Sequence, residues 1–515
     1  MSERAQSSST LAKTARGTAW VVAWRMGTRT LGVISTLFLV RLLLPSDFGL
    51  LALALSFTQS VEALSWFGIE DALVRERDPQ RSLYDTAFTL QLIRAITLTL
   101  LIMAAARPAA AFFNEPRLAV VVFALAFANL LDGFNNIGTV DFRRQFDFHL
   151  EFRLWIVPRF LGTVFVVVLA AITHSYWALV ASVVVNRCLK LAAGYIMHPY
   201  RPRLGLQNWR HLMSYSLWTW LSGIIGILAG QSDTFMVGRL LDSTRVGFYS
   251  LGMEMASLPN TELVEPLGRS TFSAFSESRR LGQSAAPIWL RLCGSAALLV
   301  IPSAIGISIV APNFLRVGFG AGWDSSVPVL QTMALFSATG LFGAVSGAYL
   351  YAYGMLRQIV LLRAVLVALR LALLALLLPR LGLQGAALAI GISAAIEQFA
   401  VSAMACHQLR IGLFRDVVPV LWRCLAATAV MAGVIQALGL GWGADFDDLS
   451  PYLALFGVAL LGALLYLATL VLLWWLCGKP DGPETDILAL ARQGLAKAAS
   501  VLGRAKPQSE AQDVR

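Results

Sequence analysis

Phe38-Leu39-Val40-Arg41-Leu42-Leu43-Leu44-Pro45-Ser46-Asp47-Phe48-Gly49 is echoed later in the chain. Phe235-Met236-Val237-Gly238-Arg239-Leu240-Leu241 runs through Arg245-Val246-Gly247 to Leu251. In both places an apolar run ends in an Arg-Leu-Leu step, a short polar turn follows, and a glycine opens the next apolar run. Gly49 and Gly247 are 198 residues apart. If six membrane spans separate the copies, the repeat keeps its orientation. It is then a parallel repeat about an axis along the membrane normal, an arrangement that places a cavity between two rocking halves.

The rest of the chain supports a membrane reading. Of 515 residues, 57% are apolar and 14% charged. A soluble domain carries about 25% charged residues, and single cores stop growing at roughly 250–300 residues. This composition excludes a soluble enzyme, a disordered regulator and a disulfide scaffold. The net charge of +11 comes without a Lys/Arg run interleaved with aromatics, so nucleic acid is not an expected partner.

Fourteen stretches match the roughly 20 apolar residues that a crossing helix needs. They are 17–41, 48–68, 84–106, 117–140, 154–173, 176–197, 213–238, 246–268, 286–310, 326–353, 357–378, 382–406, 417–440 and 452–477. The ten-residue alternation of a β-barrel is missing. The expected fold is an all-α polytopic membrane protein of about 14 transmembrane helices. Two pseudo-symmetric six-helix bundles (17–198 and 213–406) flank a central cavity, joined by a linker at 199–212. Two further helices occupy 407–477, between polar tails at 1–16 and 478–515. With this count, nineteen cationic residues, from Arg4 to Arg415, face inward and seven outward, which predicts that both termini are cytoplasmic. In the tail, Asp486 opens a stretch whose Ile487, Ala491, Leu495, Ala498 and Leu502 share a helical face, the pattern of an amphipathic helix on the inner leaflet.

Charges inside the spans point to a site. An ionised side chain at mid-bilayer costs about 2.5–3.5 kcal/mol, so it is expected to face a cavity or a partner. Arg25 and Arg29 lie one helical turn apart in the first span, and Gly32, Thr36 and Thr18 extend the same stripe. Both arginines are candidates to bind an anionic substrate. Glu62 in the second span, Asp233 in the seventh and Glu254 in the eighth are candidates for gating or ion coupling. Pro259 and Pro266 predict a break in the eighth span. Arg159 and Arg187 read as snorkelling toward a span end, as do Lys190, Arg291 and Arg423; Arg94 and Arg370 fit either helix pairing or substrate contact. The five cysteines and five histidines show no ligand spacing, so neither a metal nor another cofactor is expected.

Gly17-Thr18-Ala19-Trp20, the Arg25/Arg29 pair and the turn Leu44-Pro45-Ser46-Asp47-Phe48-Gly49 resemble the opening of bacterial polysaccharide-transport flippases. Val246-Gly247-Phe248-Tyr249 is similar to their second-half turn. These flippases belong to the multidrug, oligosaccharidyl-lipid and polysaccharide exporter superfamily. The resemblance implies two six-helix bundles around a V-shaped cavity. It also implies a non-enzymatic flippase in the bacterial inner membrane, moving an undecaprenyl-diphosphate-linked oligosaccharide for exopolysaccharide, capsule or O-antigen assembly. Arg25 and Arg29 would receive the diphosphate, and membrane lipids, a polysaccharide polymerase and export proteins are candidate partners. Two rivals remain: an ion-coupled drug exporter of the same superfamily, and a membrane polymerase or glycosyltransferase. The first would want an acidic cavity. The second would want a large aqueous domain, and its one motif, Asp445-Phe446-Asp447, lies in an expected outward loop.

Overall fold

The computed structural model describes residues 26–63, 79–145, 147–207, 209–212, 217–442 and 451–486, with Trp20, Trp24, Glu70, Leu73, Val74 and Glu76. Among these residues every regular element is helical. Among the described residues seven helices are long and apolar enough to cross a membrane, or up to nine if each of two bent pairs is one span. Pro45–Ala63 and Leu217–Leu240 are not among them. They are diluted by Asp47, Gln59 and Glu62, and by Gln231, Ser232 and Asp233 respectively. These two polar helices carry two of the three candidate acids, Glu62 and Asp233.

Several breaks have local causes. The 54-residue run Leu356–Leu409 is two helices joined at Gly382, whose φ of 58° and ψ of −136° suit only glycine. Arg117–Gly133 and Ile137–Arg144 meet at 70°. That bend frees backbone carbonyls that hydrocarbon could not satisfy. Gln91 Nε2 donates to the carbonyls of Asp132 (2.9 Å), Gly133 and Asn135, capping the broken end. Asn136 Nδ2 donates to the carbonyls of Gly194, His198 and Tyr200, which ties the same bend to the chain leaving Trp177–Met197. The predicted proline break is present. Ser243–Ala256 ends before Pro259, a π turn covers Asn260–Val264, and Glu265–Arg280 follows. The break therefore divides the predicted eighth span.

The chain forms two compact units. One comprises Met1–Met255, Phe314–Leu330 and Val360–Ser393; the other comprises Ala256–Asn313, Gln331–Ile359 and Ala394–Arg515. In the first unit the two repeat copies meet backbone to backbone. A Cβ added to Gly49 would sit 1.6 Å from the Ser243 carbonyl oxygen, and one added to Gly247 would sit 2.0 Å from that of Pro45. The contact is reciprocal: each glycine meets a carbonyl of the other turn. Trp323, 2% exposed, packs edge-on against Phe48 and Phe248, the aromatic residue of each copy. Its Nε1 donates to the Val40 carbonyl at 3.4 Å. Nearby, Glu115 accepts from Arg117 (2.9 Å) and from Ser243 Oγ (2.8 Å). The Arg117 hydrogen bond, with help from Ser243, holds the Glu115 carboxyl below the usual glutamate range against its partial burial.

The second unit is stapled by polar contacts between helices. Trp289 Nε1 donates to Ser346 Oγ (3.1 Å), which donates to Ser402 Oγ (3.1 Å). Tyr466 Oη donates to the Leu298 carbonyl at 2.8 Å. Arg423 does not snorkel. It is 7% exposed and makes a two-pronged contact with Glu484, at 2.6 and 3.0 Å. Glu484 lies beyond Pro480, so this pair anchors the start of the tail on helix Val418–Ala437. The predicted amphipathic stretch beyond Asp486 lies outside the described residues.

Two outcomes follow from this packing. Arg423→Met strands a buried carboxylate and costs about 3–5 kcal/mol, read as a lower thermal midpoint in detergent; adding Glu484→Leu recovers most of the loss. Gly49→Ala forces backbone against backbone and lowers the same midpoint by the equivalent of about 1–3 kcal/mol. An unaltered midpoint in either single variant contradicts the contact concerned.

Candidate functional site

The first helix, 26–42, packs along helix Phe148–Thr173 of the same unit. The register is legible in four contacts. Trp20 tilts against Phe152 and Trp24 stacks on Trp155, with ring centroids 5.1 and 5.4 Å apart. One turn on, a Cβ at Gly27 would touch Ile156, and one at Gly32 would lie 3.4 Å from Arg159 Nη2. Small residues on one helix thus make room for large ones on the other. The arginine-bearing part of the first helix is held against Arg159.

Arg29 is half-buried here, with its Nε and Nη2 atoms enclosed by protein. The acid that faces it is Glu254, on Ser243–Ala256, whose carboxylate is acted on by the charges of both Arg29 and Arg159. Glu254 and Arg159 are exposed. Two guanidinium groups and one carboxylate from three helices therefore lie within electrostatic reach of one another, with Glu254 and Arg159 exposed and the Arg29 guanidinium largely enclosed. Arg25 lies outside the described residues.

The other two acids have different neighbours. Glu62 pairs with Arg187 at 3.6 Å, and Arg187 also holds Asp132 at 2.8 Å. Arg94 Nη2 donates to the Glu62 carbonyl, closing the end of Pro45–Ala63. Asp233 is buried and accepts from Tyr249 Oη at 2.6 Å. The Arg370 charge acts on it from nearby, and that guanidinium donates to the Ala229 carbonyl and, at 3.2 Å, to Ser393 Oγ. Ser56 Oγ donates to Gln231 Oε1 (2.7 Å) and Gln231 Nε2 to Gln59 Oε1 (3.3 Å), so these polar positions bind Pro45–Ala63 to Leu217–Leu240.

The structure thus brings Arg29 and Glu254 together and leaves Glu62 and Asp233 in separate networks. Arg159 is the member that sequence reasoning passed over, as a snorkelling residue. Its signal was the four-residue spacing of Glu151, Trp155 and Arg159, a polar and aromatic stripe on an otherwise apolar helix. Among the described residues no group of three or more His, Cys, Asp or Glu could hold a metal. Chemically, the cluster can exchange its carboxylate for another oxyanion: arginine offers paired N–H donors to carboxylate and phosphate alike.

Helices of this length and hydropathy, broken by glycine and proline, define a multi-pass membrane protein. A family model described as polysaccharide biosynthesis protein matches residues 38–328, more than half of the chain, starting at Phe38 of the first motif; the chain belongs to that family. The succinoglycan biosynthesis transport protein ExoT of Rhizobium meliloti (strain 1021) is 24% identical over 62% of this chain and 65% of its own length. The chain thus spans just under two thirds of that relative. The lipopolysaccharide biosynthesis protein WzxC of Escherichia coli (strain K12) is 23% identical over 66% of this chain and 70% of its own. The solved structure of the lipid II flippase MurJ, in an inward closed conformation, matches 88% of this chain and 99% of its own with a TM-score of 0.71. At 12% identity this is a likeness of fold, that of an all-helical membrane transporter. The resemblance carried by the Leu44–Gly49 turn is borne out.

Proposed function

We propose that this protein is a flippase that carries a polyprenyl-diphosphate-linked oligosaccharide across the bacterial cytoplasmic membrane, for assembly into a surface polysaccharide. The observation that carries the reading is the exposed Glu254 carboxylate, within electrostatic reach of both Arg29 and Arg159. A diphosphate crossing hydrocarbon needs its charge matched at each stage, and release demands that the match be exchangeable. In this account Arg29 and Arg159, with Arg25 four residues earlier in the sequence, take the diphosphate when the cavity opens inward. Glu254 replaces it as the passenger leaves. Glu62 and Asp233 act at a distance, if they gate or couple ions, since their immediate partners are Arg187 and Tyr249. The family membership and the printed functions of ExoT and WzxC support a role in polysaccharide export.

The finer architecture belongs to the same proposal: about fourteen spans in two six-helix lobes and two added helices, with both termini inside. Alternating access then uses the backbone contact of Gly49 and Gly247 as the outward seal, because glycine lets two turns close without side chains between them. A polymerase and export proteins receive the product. No step requires covalent chemistry by the protein.

Charge reversal tests the site. Arg25→Glu combined with Arg29→Glu abolishes polysaccharide export in cells while the protein remains in the membrane at normal level. Full export by that variant contradicts the assignment.

A further inference from the structure

Between helices Arg81–Phe112 and Arg117–Gly133 runs a groove of about 240 Å³, lined by Ile96, Thr99, Leu100 and Met103 of the first and by Phe127 and Leu130 of the second. Its polar atoms are spent on one another. Thr99 Oγ1 donates to the Ala126 carbonyl (3.2 Å), and Asn129 Nδ2 donates to Thr99 Oγ1 (3.3 Å) and to the Ala95 carbonyl (3.5 Å). The wall that remains is wholly apolar. Ile96, Leu100, Met103 and Phe127 are all exposed, so the groove opens away from the helix pair. It has room for about eight groups of a water's volume, yet water would find no polar partner in it.

The same stripe ends in a charge. Ile96, Leu100, Met103 and Arg107 follow at steps of four, three and four residues, which is one face of an α-helix. Arg107 is exposed. The other arginines around this end of the helix are already matched: Arg117 is bound to Glu115 at 2.9 Å, and Arg239 lies over the Phe112 ring at 5.5 Å. Among the described residues Arg107 has no hydrogen bond, ion pair or ring contact. From Ile96 to Arg107 the helix rises about 16 Å. That is half of the roughly 30 Å hydrocarbon core, the depth of one leaflet.

An apolar groove that reaches one leaflet deep from an unmatched guanidinium is complementary to a lipid with one negative charge. We propose that it holds one anionic phospholipid of the phosphatidylglycerol class. An acyl chain lies along Ile96, Leu100 and Met103, and the phosphodiester takes the paired N–H donors of Arg107. A zwitterionic lipid would bring an ammonium as well, and the carboxylate at this end, Glu115, is already engaged by Arg117 and Ser243. A diphosphate carries more charge than one guanidinium matches, so this groove is not a second site for the passenger. The site requires that these two helices span a membrane, and it is independent of what the protein transports.

Native mass spectrometry of the full-length protein, delipidated in detergent and titrated with phosphatidylglycerol or phosphatidylethanolamine, tests the site. The unaltered protein is expected to retain one phosphatidylglycerol about fivefold more tightly than phosphatidylethanolamine, the advantage of one arginine toward an anionic lipid. Arg107→Gln removes that preference, and Met103→Trp, which fills the groove, weakens retention of both lipids. Equal retention of the two lipids by the unaltered protein overturns the proposal, even if neither variant folds. So does a preference that survives Arg107→Gln, which would place the lipid elsewhere. Displacement of phosphatidylglycerol by equimolar undecaprenyl phosphate would make the carrier lipid the occupant, and a dimer that forms as lipid is removed and is broken by Met103→Trp would make it a second copy of this chain; either contradicts the assignment.

Discussion

A charge placed in hydrocarbon must be neutralised by a partner or kept wet, and the interior of this chain is organised around that demand. The first unit meets it in three ways. Arg187 is shared between Asp132 and Glu62; Asp233 is buried with Tyr249, near Arg370; and the charges of Arg29, largely enclosed, and of Arg159, exposed, act on the exposed Glu254. The first two arrangements are largely closed networks between helices, of a kind that fixes how the helices pack. In the third, the carboxylate and one guanidinium remain exposed, so their partners can be replaced. Exposure of paired charge, rather than its presence, separates a site from a staple.

The same demand explains why the most polar helices are the ones that matter. Pro45–Ala63 and Leu217–Leu240 are more polar than the seven long apolar helices, and they interlock through Ser56, Gln59 and Gln231. At one end of this pair, glycines remove side chains from the contact between the two repeat turns, and Trp323 packs against an aromatic residue from each copy. Among the described residues no ion pair joins the two turns, so backbone packing and one indole ring hold them, with the Ser243–Glu115 hydrogen bond nearby.

Much of this was written in local pattern. Apolar runs announced the helices, Pro259 and Pro266 the break after Ala256, and the paired Arg-Leu-Leu turns the repeat. The family followed from the turn at Leu44–Gly49, because its proline, acid and glycine sit where a helix must end and another begin. Partners were a different matter. Arg423, Arg187 and Arg159 all looked like cations near span ends, and snorkelling is the ordinary fate of such residues. Their acids are distant in sequence: Glu484 for the first, Glu62 and Asp132 for the second, Glu254 for the third. Periodicity gives the face a residue occupies on its own helix, and says nothing of which helix meets that face.

The account turns on competition between an internal carboxylate and an anionic passenger for one pair of guanidinium groups. The affinity of the membrane-embedded protein for undecaprenyl diphosphate, compared between Glu254→Gln and Arg159→Gln, measures that competition directly. Removing the internal competitor should tighten binding severalfold, and removing one of the contested cations should weaken it by a similar factor. If Glu254→Gln weakened binding, or if neither change moved it, the carboxylate and the passenger would not share a site.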